Sequence, residues 1–126
     1  MKKVIAAAII AATLLKPVGV QAETQLHKCW ATAYCLTGET ASGTQTTEGR
    51  TVASKPEWIG STMFIWLDDG DGVIKAENYL GMYQVEDTGG RTIKNGSVID
   101  VYIADYNRAK QFGSRRVIIQ VVKGDG

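Results

Sequence analysis

Apolar and polar positions alternate along most of this chain with a period of two rather than 3.6, which predicts strands. Residues 30–35 read as a strand, followed by a long loop over 36–49 rich in Gly, Thr and Ser. Residues 51–53 form a strand stub that ends at Lys55-Pro56, because the residue before a proline avoids helical geometry. Residues 63–67 form an apolar strand, and Asp68-Asp69-Gly70-Asp71-Gly72 a turn after which the strand pattern resumes at Val73. Residues 81–86 form another strand, broken by Thr88-Gly89-Gly90, and Asn95-Gly96 signals a turn. Residues 98–103 and 116–122 complete the strands. Between them, 106–112 is the single helix candidate, with Asp105 or Asn107 near its cap and Gly113 at its end. Six or so short strands with one short helix predict a small, mostly β, closed barrel, which leaves no exposed sheet edges.

Length narrows this to one domain: 126 residues exclude a TIM barrel, a two-domain Rossmann enzyme or a repeat array. The first 22 residues are set apart from that domain. Lys2 and Lys3 precede an apolar run over 4–15, Lys16 and Pro17 end it, and Val20-Gln21-Ala22 supplies small residues for cleavage. The run is too short to span a bilayer but suits a signal peptide. Residues 1–22 are therefore expected to be a signal peptide and 23–126 a single secreted domain without a stable membrane span, expected to be monomeric. Cleavage after Ala22 removes 22 of the 126 residues and three of the 14 Lys+Arg, leaving 104 residues with 11 cationic and 13 acidic side chains. A charge of about −2 excludes electrostatic nucleic-acid binding, which needs a basic excess. Glu23 rather than Cys follows the cleavage site, so no lipid anchor is expected.

Several familiar chemistries are poorly served. In an export compartment Cys29 and Cys35 invite a disulfide, yet six residues of extended chain span about 20 Å, beyond disulfide reach. Either the strand bends between them or the thiols stay separate. One His, His27, and two Cys do not complete a zinc site. The acidic loop fails the calcium-loop pattern, since a frame starting at Asp69 places Val73 at the fifth ligand position. No metal and no cofactor are expected. His27 lies two residues before Cys29 near the domain start, where it is poorly placed to serve a nucleophile.

Asp87 and Asp100 carry the better signal. Asp87 ends a strand and precedes Thr88-Gly89-Gly90, whose backbone can approach a carboxylate or a substrate oxygen closely. Strand alternation assigns Ile99, Val101 and Ile103 to the core and Val98, Asp100 and Tyr102 to the other face. A carboxyl between an aliphatic and an aromatic neighbour is partly desolvated, and a second carboxylate nearby raises its pKa further. That keeps a proton available for donation to a glycosidic oxygen. The alternative is a solvent-facing strand aspartate. Of the tryptophans, Trp66 lies in an apolar strand and is assigned to the core, while Trp58, on a loop after Pro56, is the expected sugar platform.

The same residues carry a resemblance. Thr32-Ala33-Tyr34-Cys35, Thr40-Ala41-Ser42-Gly43-Thr44, Val52-Ala53, Glu86-Asp87-Thr88-Gly89-Gly90, Ile99-Asp100-Val101-Tyr102 and residues 109–113 run in the order of the 3D (three-aspartate) domain. That domain occurs in secreted wall-associated and stationary-phase proteins and in the core of MltA-type lytic transglycosylases. The resemblance covers about residues 31–122. It implies a double-psi β-barrel whose partner is the peptidoglycan glycan strand and which cleaves the MurNAc–GlcNAc β-1,4 bond to a 1,6-anhydro product. It implies Asp100 as the acid/base, Asp87 as a supporting carboxylate, Thr40 and Gly43 as groove residues and Thr88 as a brace for Asp87. The chain departs from the family at Ala53-Ser54-Lys55-Pro56, with Lys55 where a third aspartate is usual. A cation there lowers a nearby carboxylate's pKa if it points inward. A barrel that only binds wall glycan is the alternative function, and a secreted barrel used for protein contacts a third.

Overall fold

The structure, a computed structural model, describes residues 24–124; the expected signal peptide lies outside them. The described chain is mostly strands: β1 (Thr24–Tyr34), β2 (Thr51–Ala53), β3 (Thr62–Leu67), β4 (Tyr79–Asp87), β5 (Val98–Tyr102) and β6 (Arg115–Val122). They close into one six-stranded barrel in the order β1-β5-β2-β4-β3-β6. Pairing is mixed: β1 with β5 and β2 with β4 are parallel, and the other four pairs are antiparallel. No helix among the described residues is long and apolar enough to cross a membrane.

Alternation builds the core as the hydrophobic pattern requires. On β6, Val117, Ile119 and Val121 are buried while Arg116 and Gln120 face outward. They meet Ala31, Val52, Met63, Ile65, Val85, Ile99 and Val101 inside the barrel. Met63 is wholly buried at its centre. Met63→Ala is expected to cost about 2–5 kcal/mol, because the closed wall cannot collapse around the missing volume. Chemical denaturation checks this; a loss under about 1 kcal/mol would mean a slack core.

Among the described residues there are two short α-helices, not one. α2 (Tyr106–Phe112) is the expected helix; Asp105 caps it through Arg108 N–H at 2.9 Å, and Gly113 leaves it at φ 66°. α1 (Arg91–Lys94) is a single turn between the two glycine signals, too short to display a period. β1 begins six residues earlier than expected and is continuous through Cys29, so the thiols stay separate and both are free. The strand expected to resume at Val73 starts only at Tyr79. The acidic turn folds on itself instead: Lys75 Nζ bridges Asp69 (2.8 Å) and Asp71 (2.7 Å), and Val73 N–H donates to Asp71. An ammonium thus stands where a cation shared by Asp69 and Asp71 would have to sit.

The 36–50 loop is pinned across the barrel. Arg108 grips Glu48 with two hydrogen bonds (2.6 and 3.0 Å), and Ala104 N–H adds a third at 2.9 Å. These bonds lower the Glu48 pKa from 4.5 to about 2. A depressed folded pKa gives stability that is present above the ordinary value and lost as pH falls through the folded one. Acid unfolding followed by circular dichroism should therefore steepen between about pH 4.5 and 2. Arg108→Gln should flatten that limb, and an unchanged limb would mean the clamp is not formed in solution.

Candidate active site

The register of the barrel brings Asp87 and Asp100 into one row. Thr32 on β1 pairs with Asp100 on β5; Asp100 pairs with Ala53 on β2; Ala53 pairs with Asp87 on β4. Directly paired residues point to the same face, so the two aspartates flank Ala53 at about two interstrand spacings, roughly 10 Å between Cα atoms. A register slip between Val52 and Ala53 creates this row. Val52 pairs with Val85, but Ala53 pairs with Asp87, skipping Glu86. A bulge of this kind re-aims side chains. The skipped Glu86 is occupied elsewhere, by Arg50 at 3.0 Å and by the Thr51 hydroxyl at 2.8 Å.

Both aspartates open into one groove of about 310 Å³. Its walls are Tyr34, Cys35, Leu36, Ala53, Thr88, Gly89, Gly90 and Ile93. α1 supplies Ile93, and it approaches so closely that a Cβ on Gly89 would lie 2.7 Å from Ile93 Cδ1. A side chain at position 89 would make the Ile93 side chain shift to keep α1 in place.

The two carboxyls have different surroundings. Asp87 accepts three hydrogen bonds: from the Tyr34 hydroxyl and from the Ala41 and Thr88 backbone N–H groups, each at 3.0 Å. Asp100 accepts one side-chain bond, from Thr32 Oγ1 at 2.9 Å. Burial pushes the Asp100 pKa up, the Thr32 bond opposes that, and the Asp87 charge pushes it up again. Burial and the Asp87 charge likewise raise the Tyr34 phenol, so it remains a donor at any ordinary pH. The arrangement pairs an acceptor held by three donors with a carboxyl whose pKa burial raises.

The remaining expected site residues fall in different places. Thr40 is buried and stands behind the groove, with its hydroxyl bonded to Thr44 (2.8 Å) and Ser42 (3.0 Å). Gly43, at φ 92°, donates its N–H to Thr40 O at 2.9 Å and closes the same small turn. Neither lines the groove; together they shape the turn that aims Ala41 N–H at Asp87. Thr88 braces Asp87 through its backbone N–H, while its own buried hydroxyl has no hydrogen-bond partner among the described residues.

Trp58 is not an exposed platform. It is 4% exposed, its ring lies 4.8 Å from that of His27, and Lys55 Nζ sits 4.8 Å from its centroid. The 3-10 turn over Pro56–Trp58 swings the indole into the core. Trp66, expected inside, is half-buried on the outer wall between Phe64 and Tyr79, and Ile65 takes the core position. Tyr102, expected on the open face, is 3% exposed; its hydroxyl bonds Thr37 in the covering loop. Lys55 turns away from the aspartates, onto Trp58 and Glu57 (3.4 Å).

Strand alternation alone could not find Tyr34 as the Asp87 partner, because Tyr34 and Asp87 lie 53 residues apart and on strands that are not neighbours. No protein-family model, curated protein or solved structure matches the chain.

Proposed function

We propose that this chain is a secreted, wall-associated lytic transglycosylase of peptidoglycan, with Asp100 as its single acid/base. The observation that carries this reading is the row Thr32–Asp100–Ala53–Asp87, which sets a half-buried carboxyl beside a second carboxylate in an open groove. The resemblance to the 3D domain supports the choice of substrate. The crossed strand order, with parallel pairs β1/β5 and β2/β4, supports the finer double-psi description of the barrel.

The reaction needs one proton carrier. Asp100 gives its proton to the bridging oxygen as the C1–O bond of the MurNAc–GlcNAc link breaks. The resulting carboxylate takes the proton of the sugar's own C6 hydroxyl, whose oxygen closes onto C1. Asp100 is thereby restored, and the products are a free 4-hydroxyl and a 1,6-anhydro sugar. No water is consumed, in contrast to two-carboxylate hydrolases. Burial first, and the Asp87 charge in addition, raise the Asp100 pKa beforehand, and the Asp87 charge stabilises positive charge developing at C1. Lys55 faces Glu57 and Trp58, so it leaves that balance alone.

Digestion of purified walls tests the reading. Mass spectrometry should find 1,6-anhydro muropeptides, each lighter by one water than a hydrolysed product. Reducing-end muropeptides would instead assign hydrolysis. The absence of the third aspartate that the resemblance leads one to expect at position 55 favours a second reading, a barrel that binds glycan without cutting it. That reading predicts wall retention with no soluble product.

A further inference from the structure

The outer face of β1 continues past the groove. Thr32 and Tyr34 on that face hold Asp100 and Asp87. The next side chain on the same face is Trp30, about 7 Å from Thr32 along the strand. Trp30 is 46% exposed, unlike Trp58, and it pairs across β6 with Arg116, whose guanidinium carbon lies 5.6 Å from the indole centroid. Lys28 follows on the same face and is also exposed. With Asp68, Gly70 and Ser97 these residues bound a second hollow of about 360 Å³.

The charge of this hollow is unbalanced. Among the described residues neither Lys28 nor Arg116 forms an ion pair. Asp68 accepts the Gly70 and Gly72 N–H groups of its own turn at 3.0 and 3.1 Å. Gly72 leaves room for Lys28, since a Cβ there would lie 2.8 Å from Lys28 Nζ. Asp69 and Asp71, next to Asp68 in the turn, are held by Lys75 and do not line the hollow, so its lining offers an anion two cations without ion pairs against one internally bonded carboxylate. An exposed indole beside them offers a flat apolar surface of the kind a pyranose ring covers.

We propose that this hollow is a second saccharide subsite, which seats a carboxylate-bearing sugar of the same glycan strand that lies over Asp100. Trp30 packs on the ring, and Lys28 and Arg116 take the carboxylate. The inference rests on the proposed wall-glycan function, and it explains how a shallow groove would fix the register of a long strand.

Isothermal titration of the full chain carrying Asp100→Asn, which leaves strands intact, tests it with three probes: a neutral N-acetylglucosamine tetramer, a peptide-free wall strand with free lactyl carboxylates, and a peptide-bearing strand. The peptide-free strand should bind about tenfold tighter than the neutral tetramer. The double substitution Lys28→Gln, Arg116→Gln should erase that preference. Trp30→Ala should weaken all three probes, and Trp30→Phe should restore much of the loss and guard against a folding defect. Equal binding of neutral and acidic strands, or a preference that survives the double substitution, would overturn the subsite. Preference for the peptide-bearing strand alone would place the carboxylate on the peptide and overturn the sugar assignment. If walls are cut to anhydro products while these variants bind like the parent, only the subsite fails. If no glycan binds at all, the wall-glycan reading fails with it.

Discussion

Asp100→Asn is expected to reduce release of 1,6-anhydro products by about 10²–10⁴-fold, the range that a positioned general acid supplies. Asn keeps the shape and can still accept the Thr32 hydroxyl, so the barrel should melt within about 1 kcal/mol of the parent. A structural role would show the opposite pattern, with lost stability and retained cleavage. The pH profile of the parent carries the sign. Asp100 has a raised pKa, with burial as the largest cause. Its acid form is the active one, so activity should fall as pH rises through that raised value. Linkage runs the same way: a group with a raised folded pKa adds stability below its unfolded value and loses it as pH rises through the folded one.

Asp87 is expected to matter twice. Asp87→Ala leaves the Tyr34 hydroxyl and the Ala41 and Thr88 N–H groups without their acceptor. The groove is open to water, which discounts the penalty; a loss of about 2–3 kcal/mol is expected, with cleavage falling as the 36–50 loop loosens. Asp87→Asn separates charge from scaffolding. It retains an acceptor oxygen but removes the charge that adds to burial in raising Asp100. The alkaline limb of the pH profile should then move to lower pH, with less loss of stability than the alanine variant. A limb that does not move would mean the two carboxyls do not interact.

The barrel was legible because its core obeys a period of two. Val117, Ile119 and Val121 fill the barrel while Arg116 and Gln120 face outward, with Ile118 the one intervening position that is also buried, and Gly, Pro and Asn-Gly mark most of the joints. Helix α1 was not legible, since four residues between two glycine turns show no period. The Asp87–Asp100 pair could be nominated from its flanking motifs, but the row that unites them depends on one register slip opposite Glu86, which no local pattern encodes. The tryptophans went wrong for a related reason. Position after a proline placed Trp58 on a loop, yet a 3-10 turn can aim a side chain inward as readily as outward. Trp30, within a strand, is the exposed indole because its alternation partners Thr32 and Tyr34 share the outer face.

Titration of the Asp100 carboxyl carbon by NMR addresses the central claim most directly. Assignment comes from the signal absent in Asp100→Asn. The account predicts a midpoint above the ordinary 3.8 of an aspartate, and a lower one when Asp87 is replaced by Asn. A midpoint at or below 3.8, unmoved by Asp87→Asn, would contradict it.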